Sequence, residues 1–338
     1  MPKFLCHWLY ALAAALLCAL LSSGRLVAAE HEVFQFALMG DAPYGSLAVM
    51  SVNALIDDIN AQPELLWVVH AGDIKQGSSP CSDELLKSRL DLFQQFHRPF
   101  VLTPGDNEWT DCHRQSAGGY APLERLEFLR QLFFPRVGYT LGREPMAVES
   151  QARSQAFSEF RENVRWVHHN VVFATLHVVG SRNGGESFMG RTTADNKAAA
   201  RRSEAALVWL RETFALARER DYAGVFLVMQ ADPFFELSPG GYQRRPFEPV
   251  LQALEEETLR FGKAVLFAHG DSHKYRYDQP LRDRTTGKTI TNFWRVETQG
   301  GFVTAWLRVR VDPNSTQVFH VEQGARAGQD TPTRGGSN

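Results

Sequence analysis

Three apolar runs in the first third of the chain each stop at a glycine followed by an aspartate, and this repetition restricts the fold more than any other feature. Val33 to Met39 leads into Gly40-Asp41, Leu66 to Ala71 into Gly72-Asp73, and Phe100 to Pro104 into Gly105-Asp106. Short runs that are apolar on both faces read as buried parallel strands. Stretches of helical period follow the first two, from Leu47 to Ile59 and from Asp83 to Phe96 with Ser82 as N-cap, and supply right-handed crossovers. Three successive strands would then deliver an aspartate to one edge of one sheet. That is the carboxyl edge, where open α/β sheets bind ligands, and a glycine before the acid lets the backbone turn sharply.

A fourth strand end of the same kind lies downstream, where Ala264 to Ala268 leads into His269-Gly270-Asp271-Ser272-His273. Carboxylates that converge without basic partners repel unless protons or a cation neutralise them. Between these landmarks, Leu123 to Phe134 is helical by period, and Val164–Val167 with Val171–Val179 reads as a hairpin turning at His168-His169-Asn170. Ala198 to Arg218 is a long helix, Val225 to Met229 a buried strand ending at Gln230-Ala231-Asp232-Pro233, and Phe247 to Phe261 a helix. Asn292–Glu297, Phe302–Val311 and Gln317–Val321 read as antiparallel strands of a second sheet packed on the first. The class is therefore α/β.

The first 29 residues carry Lys3, an apolar core from Leu9 to Leu21 and a small-residue site at Val27-Ala28-Ala29, the pattern of a secretory signal peptide. The apolar run is shorter than the roughly 20 residues of a spanning helix, so no stable membrane span is expected after cleavage, and the protein is expected to be exported, to a periplasm or outside the cell. Cleavage removes Lys3 and Arg25 and no acid, taking 36 basic against 38 acidic residues to 34 against 38, or −4. A mildly acidic chain of this kind argues against binding duplex nucleic acid. Cys6 and Cys18 leave with the signal. Cys81 and Cys112, in loops after neighbouring strand-end acids, would pair in an oxidising compartment. No linker or repeat divides residues 30–323, and Gly324 to Asn338 reads as a polar, disordered tail.

In their order along the chain, Asp41, Asp73, Gly105-Asp106-Asn107-Glu108, Gln230-Ala231-Asp232-Pro233 and Gly270-Asp271-Ser272-His273 resemble the motifs of the calcineurin-like metallophosphoesterase superfamily. The resemblance covers nearly all of residues 30–323. It implies a four-layer α/β/β/α sandwich of two mixed sheets flanked by helices. It also implies two divalent metal ions, the first held by Asp41, Asp73 and His273, with Asp73 bridging to a second held by Asp106, Gln230 and Asp271, and Asn107 as an alternative ligand. Departures from the family pattern are specific. Pro43 stands where the family has its first histidine, Asp106 in the column of its ligating asparagine, Asn107 in that of its catalytic histidine, Gln230 in place of an isolated histidine, and Asp271 in place of the first histidine of the last pair.

Each lost histidine has become an oxygen donor or nothing, which shifts preference from Zn or Fe toward Mn²⁺, Mg²⁺ or Ca²⁺. With Asn107 unable to transfer a proton, the acid for the leaving group would fall to His113 on the same loop, or to His70 or His269 beside the site. Lone histidines in apolar strands, as His70 and His269 are, are more often hydrogen-bonded core residues than catalysts. The implied activity is an exported, metal-dependent phosphatase or phosphodiesterase acting on a phosphorylated small molecule or nucleotide. The alternative is a catalytically weak relative that binds a phosphorylated ligand or a cation.

Overall fold

Side chains alternate across a strand, and in β1 (Phe34–Met39) both sets find an apolar layer: Phe36 and Leu38 face one core, Ala37 and Met39 another. The computed structural model describes residues 31–326. The expected signal peptide, and residues 327–338 of the expected tail, lie outside the described residues. β1 pairs in parallel with β2 (Leu65–His70), and β2 with β3 (Phe100–Leu102). The crossovers are α1 (Gly45–Asn60) and α2 (Asp83–Phe93), and Ser82 Oγ caps α2 by accepting from Leu85 N at 3.3 Å. With α3 (Pro122–Phe133), these helices bury Val52, Ile56, Leu86, Phe93 and Leu129 against the outer face of the sheet. That is why strands with two covered faces read as continuous apolar runs.

The second sheet contains β4 (Glu149–Ser150), β5 (Val164–His168), β6 (Val171–Thr175), β7 (Gly224–Val228), β8 (Ala264–His269), β10 (Phe293–Glu297) and β9 (Arg276–Asp278), in that spatial order. Two helices cover its outer face. They are α4 (Thr193–Glu219) and α5 (Glu248–Phe261), which set Trp209, Phe214, Leu251 and Leu254 against Val225, Leu227 and Phe267. The inner faces of the two sheets meet through Phe36, Trp67, Phe173, Phe226 and Leu266, with Phe36 edge-on to Phe226 at 5.1 Å between ring centroids. Helices, sheet, sheet, helices are the four layers implied by the motif order.

The partition of strands between the sheets differs from the sequence expectation. β10 is not part of a separate antiparallel sheet: it runs parallel to β8 and antiparallel to β9 within the second sheet. β11 (Ala305–Val311) and β12 (Phe319–Arg326) instead extend the first sheet, with β11 antiparallel to β1. The Gly-Asp strand ends of β1, β2 and β3 therefore share one sheet, and that of β8 belongs to the other. An apolar pattern reports which faces are buried and carries no information about the partner strand. Two boundaries also move. α4 begins at Thr193 and not Ala198, because Thr192 and Asp195 form a capping box upstream of that point. β12 continues to Arg326, past the point where the sequence places the tail.

Candidate metal centre and cleft

The carboxyl ends of β1, β2, β3 and β8 meet where the two sheets converge, and the backbone is forced to bring them there. Asp41, Asp73, Asp271 and His273 all adopt left-handed conformations, with φ of 50°, 60°, 79° and 63°. For a residue with a Cβ this costs roughly 1–2 kcal/mol, and strain of this kind concentrates where a site demands it. Gly105 and Gly180 have no space for a side chain. A Cβ on Gly105 would collide with the Asp73 carboxylate, and one on Gly180 would lie 2.6 Å from Asp106 Oδ2 and 3.0 Å from Asp271 Oδ1.

Asp73, Asp106 and Asp271 each offer a carboxylate oxygen within 4.8 Å of the others. Two oxygens on opposite sides of one cation at about 2.1–2.5 Å would stand at about that separation. Burial, followed by the charge of Asp106, pushes the carboxyls of both Asp73 and Asp271 well above the ordinary range. The donor set is thus hard, anionic and short of positive charge, and it fits a divalent cation with oxygen ligands. Asp41 is buried beside them and accepts from Asp271 N at 3.0 Å. Its other neighbour is His273, whose Nε2 lies 3.4 Å from Asp41 Oδ1 and whose pKa is raised by that contact.

The two amides expected as ligands are occupied differently. Gln230 Nε2 donates to Asp106 Oδ1 at 3.2 Å while its Oε1 accepts from Gly180 N at 2.6 Å. Asn107 Nδ2 donates to Asp73 Oδ2 at 2.8 Å and to Tyr44 Oη at 2.9 Å. Both supply N–H groups to carboxylates. Glu108 braces the turn from beneath, its Oε1 accepting from the amides of Asp73 and Gly105 at 3.2 and 2.6 Å. Its buried carboxyl is lifted to about 7 by desolvation.

The histidines expected to supply an acid are placed elsewhere. His70 is buried with both nitrogens engaged, Nε2 by Ala42 O at 3.0 Å and Nδ1 by Gly72 N at 3.1 Å, and burial depresses its pKa to about 4. It is a neutral core residue that ties β2 to the turn after β1. His269 is likewise buried and held at about 4, with Nδ1 at 2.9 Å from Gly270 O. His113 stacks on Phe188 at 4.1 Å and contacts Thr110 O at 2.8 Å through Nδ1. The cleft of about 660 Å³ above the acids is lined by Asp73, Asp106, Asn107, Asp271 and His273, but by none of these three histidines.

Several residues join the site without a motif to announce them. Tyr44 donates to Asp73 Oδ2 at 3.0 Å and stands edge-on to His273. The segment Gly180–Gly184 is a single left-handed turn, with φ of 46°, 61° and 54° at Ser181, Arg182 and Asn183. It carries Ser181 Oγ to Asp106 Oδ2 at 2.8 Å and to Asp111 Oδ1 at 2.6 Å. Asp111 also pairs with Arg114 at 2.7 Å, and burial together with the charge of Asp106 lifts its carboxyl to about 7. Arg114 and Arg182 both line the cleft. The polar loop after β3 and the polar turn after β6 were the available signals for this group; for Tyr44 there was none. Cys81 and Cys112 form a disulfide that joins the loops after β2 and β3.

No protein-family profile matches the sequence, and no curated protein matches it either. Solved structures do match in shape. The structure of PhoD aligns over 88% of this chain and 69% of its own, at 12% identity and a TM-score of 0.50. GAP50, the anchor in the inner membrane complex of Plasmodium, aligns over 86% and 88% at 11% identity and 0.46. The phosphopantetheinyl hydrolase of Mycobacterium tuberculosis aligns over 79% and 90% at 14% identity and 0.38. At these identities the likeness concerns architecture, and only the PhoD alignment is close enough to bear on it. This chain has the calcineurin-like metallophosphoesterase fold.

Proposed function

We propose that the protein is a divalent-metal-dependent phosphoesterase. One observation carries the reading: acids from both sheets converge on one buried point, in a cleft that also carries Arg114 and Arg182. Asp73, Asp106 and Asp271 would hold one cation, and Asp41 with His273 a second that shares Asp73. Cations bound there would lower the pKa of a water molecule and neutralise charge on the phosphoryl oxygens. The chain's own groups do the rest. Arg114 and Arg182 bind and orient the phosphate oxygens, as guanidinium forks suit tetrahedral anions. Asn107 and Tyr44 hold the Asp73 carboxylate in place by hydrogen bonds. Asp111, which lines the cleft and is hydrogen-bonded to Ser181 Oγ, is the group we assign to return a proton to the leaving oxygen.

Oxygen-rich ligation favours Mn²⁺ or Mg²⁺ over Zn²⁺. The test is reconstitution: metal-stripped protein is titrated with Mn²⁺, Mg²⁺, Ca²⁺ and Zn²⁺ while metal uptake and hydrolysis of monoester and diester substrates are followed together. Recovery by Mn²⁺ or Mg²⁺ supports the reading, and activation by zinc alone counts against the ligand assignment. A second reading, a non-catalytic relative that binds a phosphorylated ligand, draws on the Asn107 and Gln230 amides, which occupy carboxylates where the family pattern has histidines. Ligand binding without turnover under every metal would select it. Export is proposed from the signal-like N-terminus and the disulfide. A mature chain that begins at Glu30 is the expected result of N-terminal sequencing.

A further inference from the structure

The cleft is larger than a phosphate group requires, and the excess is aromatic. Its volume of about 660 Å³ lies within the roughly 300–1,000 Å³ of pockets that enclose a whole small-molecule ligand. Beyond the acids and arginines, its walls carry Phe234, Tyr242, Phe247 and Phe302. Two of these are conspicuously unburied for their size: Phe302 is 97% exposed and Tyr242 69%. Aromatic side chains left in water beside a polar site mark a surface that a ligand completes.

Both rings stand on anchored backbone. Gly301 N donates to Asp41 O at 2.8 Å, and a Cβ on Gly301 would lie 2.9 Å from His273 Nδ1, so the segment bearing Phe302 is laid directly against the metal-side residues. Tyr242 is pinned from the turn after β6. The Arg182 guanidinium lies 3.9 Å from its ring centroid and also donates to its carbonyl oxygen. One arginine thus reaches the phosphate wall and holds an aromatic ring in place.

We infer that the substrate carries a planar aromatic group beside its phosphate, as a nucleoside phosphate does, and that Phe302 and Tyr242 are its stacking surfaces. This rests on the phosphoesterase reading of the same site. A base stacks on an aromatic ring with little regard to its sequence of donors and acceptors, so the inference names a shape and not one nucleobase.

Adenosine 5′-monophosphate and ribose 5-phosphate test it, because both leave through a primary alkoxide oxygen on C5 of a ribose and only the first carries a base. In Mn²⁺-loaded protein the nucleotide is expected to have a kcat/KM at least about tenfold higher, carried by KM. Phe302→Ala and Tyr242→Ala should each shrink that ratio several-fold, and Phe302→Trp and Tyr242→Phe should preserve it. Equal constants for the two esters, or a ratio that survives both alanine changes, overturn the inference. If neither ester is hydrolysed and no diester is turned over either, the phosphoesterase reading fails. The same pair is then compared as ligands by calorimetry on the metal-loaded protein. Preference for the nucleotide that both alanine changes erase upholds the stacking surface, and equal or absent binding overturns it.

Discussion

Asp73 concentrates the chemistry of the site in one side chain. It is buried, left-handed, repelled by the charge of Asp106 and approached by Tyr44 and Asn107. Asp73→Asn removes one charge from the cluster and should abolish hydrolysis and weaken both proposed metal sites, whereas Asp271→Asn should weaken mainly one. The metal-free Asp73→Asn protein should be as stable as the unmodified protein, or more so by on the order of 1 kcal/mol. The pH dependence has a definite sign. Because the folded state raises the Asp73 pKa, its contribution to stability is present below the unfolded value near 4 and is lost as pH rises toward the folded value. Asparagine does not titrate. The difference in melting temperature between Asp73→Asn and the unmodified protein, in chelator, should therefore widen from pH 5 to pH 8, and a gap that narrows would mark Asp73 as a structural acid. At this scale the Gly-Asp pairs were legible because a glycine at a strand end has few other uses. The role of His70 was not. Whether an imidazole faces a cleft or two backbone groups depends on the turn after β1, which composition does not encode.

Among the elements, the left-handed turn Gly180–Gly184 departs furthest from ordinary backbone behaviour. Three successive non-glycine residues in this conformation cost roughly 1–2 kcal/mol each. Its support comes from α4, where buried Arg202 donates to the Asn183 side chain and carbonyl and, at 3.1 Å, to His177 O. Arg202→Met would leave those carbonyls unpaired, at about 1–3 kcal/mol for each buried group. Chemical denaturation should show a loss of several kcal/mol, and kcat/KM should fall as Ser181 moves away from Asp106. A stable variant with unchanged kinetics would show that the turn holds itself. By contrast, Ser82→Ala at the start of α2 should cost only about 1 kcal/mol, with no change in kinetics. The helices were visible in the sequence through period and caps. The turn appeared there only as polar residues, since arginine and serine carry no preference for positive φ and the arginine that enforces it lies 19 residues from Asn183.

For the whole molecule, the sequence located the strands and implied four layers, yet it put β10, β11 and β12 together when β10 belongs to one sheet and β11 and β12 to the other. Long-range pairing is decided by which edges remain open once the crossovers have formed, and alternation of apolar residues does not record this. The Cys81–Cys112 disulfide constrains the same architecture by tying residues 31 positions apart. In the chain-entropy account, reduction should lower stability by roughly 3–4 kcal/mol. Mass spectrometry of non-reduced peptides should recover the bridged pair, and two alkylatable thiols in native protein would reject it. The acids themselves are divided between the halves of the sandwich: Asp73 and Asp106 leave the first sheet, and Asp271 leaves the second. An ion shared by them would act as a rivet across the seam. Its removal would loosen that seam locally, so that amides at the carboxyl ends of β2, β3 and β8 exchange with solvent faster than in the loaded protein.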